Sequence, residues 1–175
     1  GVRRSVKFNE KFNCDLMFIE NSKSLEFHIK SGLKRENLKV CGNTSFYNAF
    51  QKREKLPKLT SGKLNVLFLT ANFSNQGKSD WSKSRRNEMV KELEKEFEGK
   101  NEKISFSIKI HPASENIIQY KKLLKPNSNI QVIQKDDVFE LISKSDIVIT
   151  PCTSTAAIIC LIMKKPIIIW KIGRA

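Results

Sequence analysis

From residue 64 onward, short β-branched runs alternate with amphipathic stretches, and no hairpin signal such as Asn-Gly separates any neighbouring pair. Two antiparallel strands can be joined by a tight turn, whereas parallel strands need a crossover, usually a helix. Strands are expected at 64–70 (LNVLFLT), 104–110 (ISFSIKI), 130–134 (IQVIQ), 146–150 (DIVIT) and 166–170 (PIIIW). Between them, 81–97 places Met89, Val90, Leu93 and Phe97 at helical spacing and stops at Gly99. Residues 114–124, ended by Pro126, then 138–143 and 154–163, supply the remaining crossovers. The pattern predicts an α/β fold: a doubly wound, Rossmann-like parallel sheet with strand order 3-2-1-4-5.

Upstream the same alternation is shorter. Residues 14–20 (CDLMFIE) read as a strand, 22–30 as a helix closed by Gly32, and 38–41 as a second strand closed by Gly42. The stretch 52–62 (KREKLPKLTSG) is charged and holds Pro57 and Gly62, as a linker does. The chain is therefore divided at residue 60. Residues 1–60 form a short N-terminal α/β segment with its linker, and 61–175 form the doubly wound domain. That domain is expected to be C-terminally incomplete, because a further helix would normally cover its last strand.

Charge and cysteine usage narrow the function classes. The net charge is +14, with 13 Lys/Arg against 6 Asp/Glu in residues 1–61 and 19 against 12 in the rest. Such a surface attracts polyanions: phosphorylated substrates, an anionic membrane face, or nucleic acid. Nucleic acid is disfavoured, since acids are interspersed as in KELEKE (91–96) and aromatics do not alternate with arginine. A solvated lysine-rich surface explains the charge equally well. Cys14, Cys41, Cys152 and Cys160 are scattered, form no C-x-x-C pair and find no metal-ligand spacing with the two histidines. They are expected to be buried thiols in a reducing cytoplasm. No apolar stretch reaches the roughly 18 residues of a membrane span, so attachment to a membrane would be peripheral.

Ligands of open parallel sheets bind beyond the carboxyl ends of the strands, where strand order reverses. The residues just past the strand ends are Ala71, Asn72, Phe73 and Ser74; His111 and Pro112; and Pro151 through Thr155. Thr153, Ser154 and Thr155 open a helix. Their hydroxyls and the free N–H groups of its first turn can converge on an anion, favoured by the helix dipole. One of them also serves as an ordinary N-cap, and the two roles are compatible. Pro112 drives His111 out of helical conformation and into the strand-end loop, where an imidazole can donate to a phosphate or titrate near neutrality. Residues 72–79 (NFSNQGKS) miss a phosphate-binding P-loop by one glycine. No later strand ends in the acid that would hold magnesium, so a polar loop is the better reading.

The segments KIHP (109–112), SDIVITPCTSTAA (145–157) and KKPIII (164–169) resemble the C-terminal domain of GT-B fold glycosyltransferases. The bacterial sialyltransferases and the CDP-glycerol glycerophosphotransferases are the nearest in pattern. Upstream, Val40-Cys41-Gly42-Asn43 resembles the V-x-G-N turn that precedes their interdomain linker. The resemblance implies a nucleotide-activated sugar or CDP-activated donor as ligand, with His111 as the catalytic contact to its phosphate or ribose. It further implies that Ser154 and Thr155 bind phosphate, beside Thr153 and Pro112, and that Asn72 and Phe73 line the interdomain cleft. No metal and no separate cofactor are implied. The acceptor site and the catalytic base would come from the remaining N-terminal domain of the same protein. The function expected is therefore the nucleotide-binding part of a glycosyltransferase or polyol-phosphate transferase, in surface polysaccharide biosynthesis. Two alternatives stand beside it. A non-hydrolysing sugar-nucleotide epimerase shares the fold and crevice but needs acidic residues at the cleft. A basic nucleic-acid-binding module would rest on the charge alone.

Overall fold

A computed structural model describes residues 15–53, 62–73, 82–112 and 115–170. These fall into two compact units that meet between Tyr47 and Asn48. The boundary expected at residue 60 lies in 54–61, outside the described residues, as do Cys14 and Trp81.

In the first unit, β1 (Met17–Ile19) and β2 (Leu38–Val40) pair in parallel, with α1 (Ser22–Lys30) as their crossover. The side chain of Asn21 accepts the Ser24 N–H at 2.9 Å and so starts α1. Gly42 follows β2 at φ 83°, a left-handed turn that glycine adopts without a Cβ clash. Behind it the Asn43 amide donates to Glu20 Oε1 at 2.8 Å, closing the V-x-G-N turn onto the end of β1.

Sequence reading missed α2 (Thr44–Arg53), and Lys52 and Arg53, assigned to a linker, belong to it. Its signal is weak because Ala49 is its one fully buried side chain among those described, while Tyr47 and Phe50 stay exposed. Within the second unit, Lys52 ion-pairs with Asp137 and lies 5.5 Å from the Phe139 ring centroid.

The second unit runs β3 (Leu64–Leu69), α3 (Lys83–Phe97), β4 (Ile104–Lys109), α4 (Ile117–Leu123), β5 (Gln131–Ile133), α5 (Val138–Lys144), β6 (Ile147–Thr150), α6 (Thr155–Ile162) and β7 (Ile167–Ile169). Its sheet has the order β5-β4-β3-β6-β7, which is 3-2-1-4-5 counted along the unit, and every pair is parallel. Strand alternation sorts the core onto two faces. Val66, Phe68, Phe106, Ile108 and Ile149 pack with Met89, Val90, Leu93 and Tyr120 of α3 and α4. The opposite side chains, Leu67, Leu69 and Val148, are buried together with Ile142 of α5 and Ala157, Ile159 and Cys160 of α6. Each of the large aliphatic and phenylalanine side chains among them contributes roughly 1.5–3 kcal/mol on full burial, so the two layers hold the strand ends in fixed relation. At the edge strand β7, Ile168 and Ile169 remain about half exposed.

The thiols do not behave as one class. Cys160 is buried and Cys152 half-buried, but Cys41 is exposed at the end of β2, contrary to the expectation of buried cysteines. β2 buries only Leu38, and Cys41 falls past the strand's last paired residue.

Candidate functional site at the carboxyl edge of the sheet

The direction of strand order reverses between β3 and β6, so the loops after β4, β3 and β6 stand side by side at the carboxyl edge. Strands lie about 4.8 Å apart, so the loops after β4 and β6 flank the end of β3 across roughly 10 Å.

The loop after β6 is organised locally. Ser154 is the N-cap of α6, and its Oγ accepts the Ala157 N–H at 3.3 Å. Thr150, buried at the strand end, donates its hydroxyl to the Cys152 carbonyl at 2.9 Å and folds the chain back toward the helix. Thr153 and Thr155 are exposed, and Ser154 is half-buried. A capping serine, two accessible threonines and a helix start therefore share one edge. Cys152 sits among them with its thiol pushed up by burial, partly opposed by Ser154, which keeps it in the protonated, weakly nucleophilic form.

The loop after β4 is anchored from a distance. The His111 N–H leaves the strand ladder and donates to Thr70 Oγ1 of the β3 loop at 2.9 Å. His111 is half-buried and Pro112 exposed. Four residues on, Glu115 is buried and pairs with Arg86 of α3 at 2.9 Å, the two side chains being 0% and 4% exposed. The Glu115 carbonyl accepts Gln134 Nε2 at 3.1 Å, and Arg86 lies 5.0 Å from the Tyr120 ring centroid. Lys109 turns to the other face, buried, and donates to the Gln134 carbonyl at 2.8 Å and the Ile110 carbonyl at 3.2 Å. Burial lowers the pKa of its ammonium against the pull of Asp136.

Sequence reading named these loops but not what holds one of them. Arg86, Glu115 and Tyr120 were missed, although Arg86 precedes Met89, Val90 and Leu93 by three, four and seven residues and so lies on the buried stripe of its helix. Asn72 is exposed at the β3 end. The ring of Phe73 is not: it is 1% exposed and belongs to the core around Phe68 and Ile108, where burial of an apolar ring outweighs exposure at the crevice. Of the near P-loop, residues 74–79 lie outside the described residues.

A cavity of about 440 Å³ opens at the opposite, amino edge of the sheet. Phe97, Ile104, Phe106 and Ile130 line it, with Glu94 and Lys125 among its polar groups. It lies at the other end of the strands from His111 and Ser154; Lys63, Ser105 and Ser128 also line it, but it sits beside the carboxyl ends of α3 and α4, where the helix dipole disfavours a phosphate. Among the described residues, no three His, Cys, Asp or Glu side chains gather as a metal site requires. None of the described helices is long and apolar enough to cross a membrane.

The sequence matches no protein-family model and no curated protein. Solved structures share its fold. A UDP-GlcNAc 2-epimerase from Neisseria meningitidis, bound to UDP-GlcNAc, superposes with a TM-score of 0.58 at 17% identity over 89% of this chain and 44% of that one. The S. aureus protein MnaA, in a structure with UDP, gives 0.55 at 17% identity over 89% and 43%. A variant of the wall teichoic acid polymerase TagF gives 0.54 at 16% identity over 89% and 39%. The chain spans less than half the length of each of these neighbours. The GT-B-like α/β fold expected from the sequence is the fold observed.

Proposed function

We propose that the chain is the donor-binding part of a transferase that uses a nucleotide-activated sugar or polyol phosphate, in the assembly of a surface polysaccharide. The observation that supports this most is the placing of Ser154 at the N-terminus of α6 and of His111 after β4, on either side of the β3 end at the reversal of strand order. Free N–H groups and the positive end of a helix favour a phosphate there, and a histidine from the neighbouring loop adds a donor. In the transfer step the bond from the donor's anomeric carbon, or from its phosphorus, to the nucleotide phosphate oxygen breaks. That oxygen keeps the electron pair while an acceptor hydroxyl forms the new bond and gives its proton to a base. Stabilising the departing phosphate is the task assigned to α6 and His111, with Thr153, Thr155, Pro112 and Asn72 around them. The acceptor site and the base are assigned to an N-terminal domain of the same protein. On this reading the enzyme needs no metal or cofactor and works on the cytoplasmic side, with its basic surface against anionic lipid.

The test is titration with CDP and UDP, alongside a melting curve. If His111 donates to phosphate, a charge-assisted bond of about 1.5–3 kcal/mol is lost in His111→Ala, and affinity falls about ten- to a hundredfold with folding little changed. Lost thermal stability with unchanged affinity overturns the assignment.

The epimerase reading draws on the likeness in fold to the Neisseria enzyme. It needs an acid facing the sugar, and Glu115, close to His111 in sequence, is wholly buried against Arg86. Inversion at C2 of UDP-GlcNAc without any acceptor would favour it over transfer.

A further inference from the structure

We infer that the buried Arg86–Glu115 ion pair, with Tyr120 beside it, is a positioning device that sets the His111 loop and thereby the affinity of the crevice, given that His111 binds phosphate as proposed above. A fully buried ion pair is poor value as a stabiliser, because the desolvation of two charges offsets most of their attraction. Its geometry fits another task. His111 and Glu115, on either side of residues 113–114, are each tied to separate elements. At the front, His111 N–H donates to Thr70 Oγ1 at 2.9 Å. At the back, the Glu115 carboxylate meets Arg86 of α3 at 2.9 Å, and its carbonyl accepts Gln134 past β5 at 3.1 Å.

Arg86 is itself held rigid. Its Nε and Nη2 both donate to Asn87 Oδ1, at 3.0 and 2.8 Å, and its guanidinium rests beside the ring of Tyr120. The Tyr120 hydroxyl has Glu115 and Thr70 as polar neighbours, the same Thr70 that holds His111. No hydrogen bond of good geometry closes there: the hydroxyl and Glu115 Oε1 are both buried without a partner. These two adjacent buried polar atoms bring the ion pair next to Thr70, and so to the backbone of His111. Glu115 and Arg86 thus act on the ligand through His111 and touch no reacting atom.

A double-mutant cycle separates positioning from plain stability. CDP and UDP affinities are measured for the unaltered chain, His111→Ala, Glu115→Gln and the double variant, each with a melting temperature. Glutamine keeps the shape of Glu115 and an acceptor oxygen but loses the charge. The expected result is a five- to tenfold loss of affinity for Glu115→Gln alone and less than a twofold further loss on top of His111→Ala. The fall in melting temperature should be the same in both backgrounds. Equal losses of affinity in both backgrounds, or no loss in either, overturn the inference. If Glu115→Gln fails to fold, Tyr120→Phe, which removes only the hydroxyl, is put through the same cycle, with a smaller loss that again disappears without His111. An affinity unmoved by His111→Ala itself is a different result: it removes the phosphate role of His111, and the positioning role with it.

Discussion

The two loops that flank the end of β3 are built on opposite plans. The loop after β6 is held by its own neighbours: Ser154 caps a residue three positions on, and Thr150 bonds a carbonyl two positions on. The loop after β4 is held by partners 29 and 41 residues away, Arg86 through a buried ion pair and Thr70 through its hydroxyl. A locally held loop keeps its shape even when the surrounding packing loosens. A loop held by a buried network is as well placed as that network and no better. The crevice therefore has one self-sufficient arm and one dependent arm.

The largest expected effect falls on the dependent arm. Arg86→Ala leaves the Glu115 carboxylate buried without its partner, which costs about 3–5 kcal/mol. Urea denaturation should show it as a lower midpoint with an unchanged slope. A cost below about 1 kcal/mol would mean that the pair is dispensable and that the contrast between the arms is false.

Next in size, Ser154→Ala on the self-sufficient arm removes one cap, at about 1 kcal/mol. The same denaturation series measures it, and the ranking of the two variants is the point. Ser154→Ala costing more than Arg86→Ala would invert the comparison.

At neutral pH the smallest effects come from two buried groups that mark the arms in alkali. Burial pushes the Cys160 thiol of α6 from 9.0 up to about 12. Burial first, and Glu115 second, push the Tyr120 phenol above its ordinary 10.0. Both groups bind their proton more tightly folded than unfolded. Their contributions are complete below the unfolded pKa and are lost as pH rises toward the folded one. Stability should thus hold to about pH 9 and then decline, with a second contribution above pH 10. Cys160→Ala should flatten the first part of the fall and Tyr120→Phe the second. A decline unaltered in both variants would show that neither group is the cause.

How much of this was legible follows from the same contrast. Strand order could be read because four crossovers without hairpin signals leave few topologies, and alternation within 64–70 and 104–110 already sorted the core. The β6 loop was legible because a cap is a local object: Ser154 and the helix it starts adjoin in sequence. The anchoring of the β4 loop was not, since Glu115 in HPASEN carries no mark of its partner on another helix. Arg85 and Arg86 show the difficulty side by side. Arg85 pairs with Glu88 and Glu92 on the partly exposed surface of α3, while Arg86, one residue and about 100° further round the helix, is buried. Phe73 went astray for the converse reason. An aromatic in a polar loop looks like a ligand contact, and its burial depends on core neighbours from α3 and β4.

The central claim is that the carboxyl edge of this sheet, and not the cavity at its amino edge, receives a nucleoside diphosphate. Backbone amide chemical shifts during titration with CDP and UDP test it most directly. The account predicts saturable shifts at Asn72, at His111 and from Thr153 to Ala157, with Phe97, Asn101 and residues 127–130 unmoved. Shifts gathered at Phe97, Asn101 and 127–130, with His111 and Ser154 silent, would contradict it.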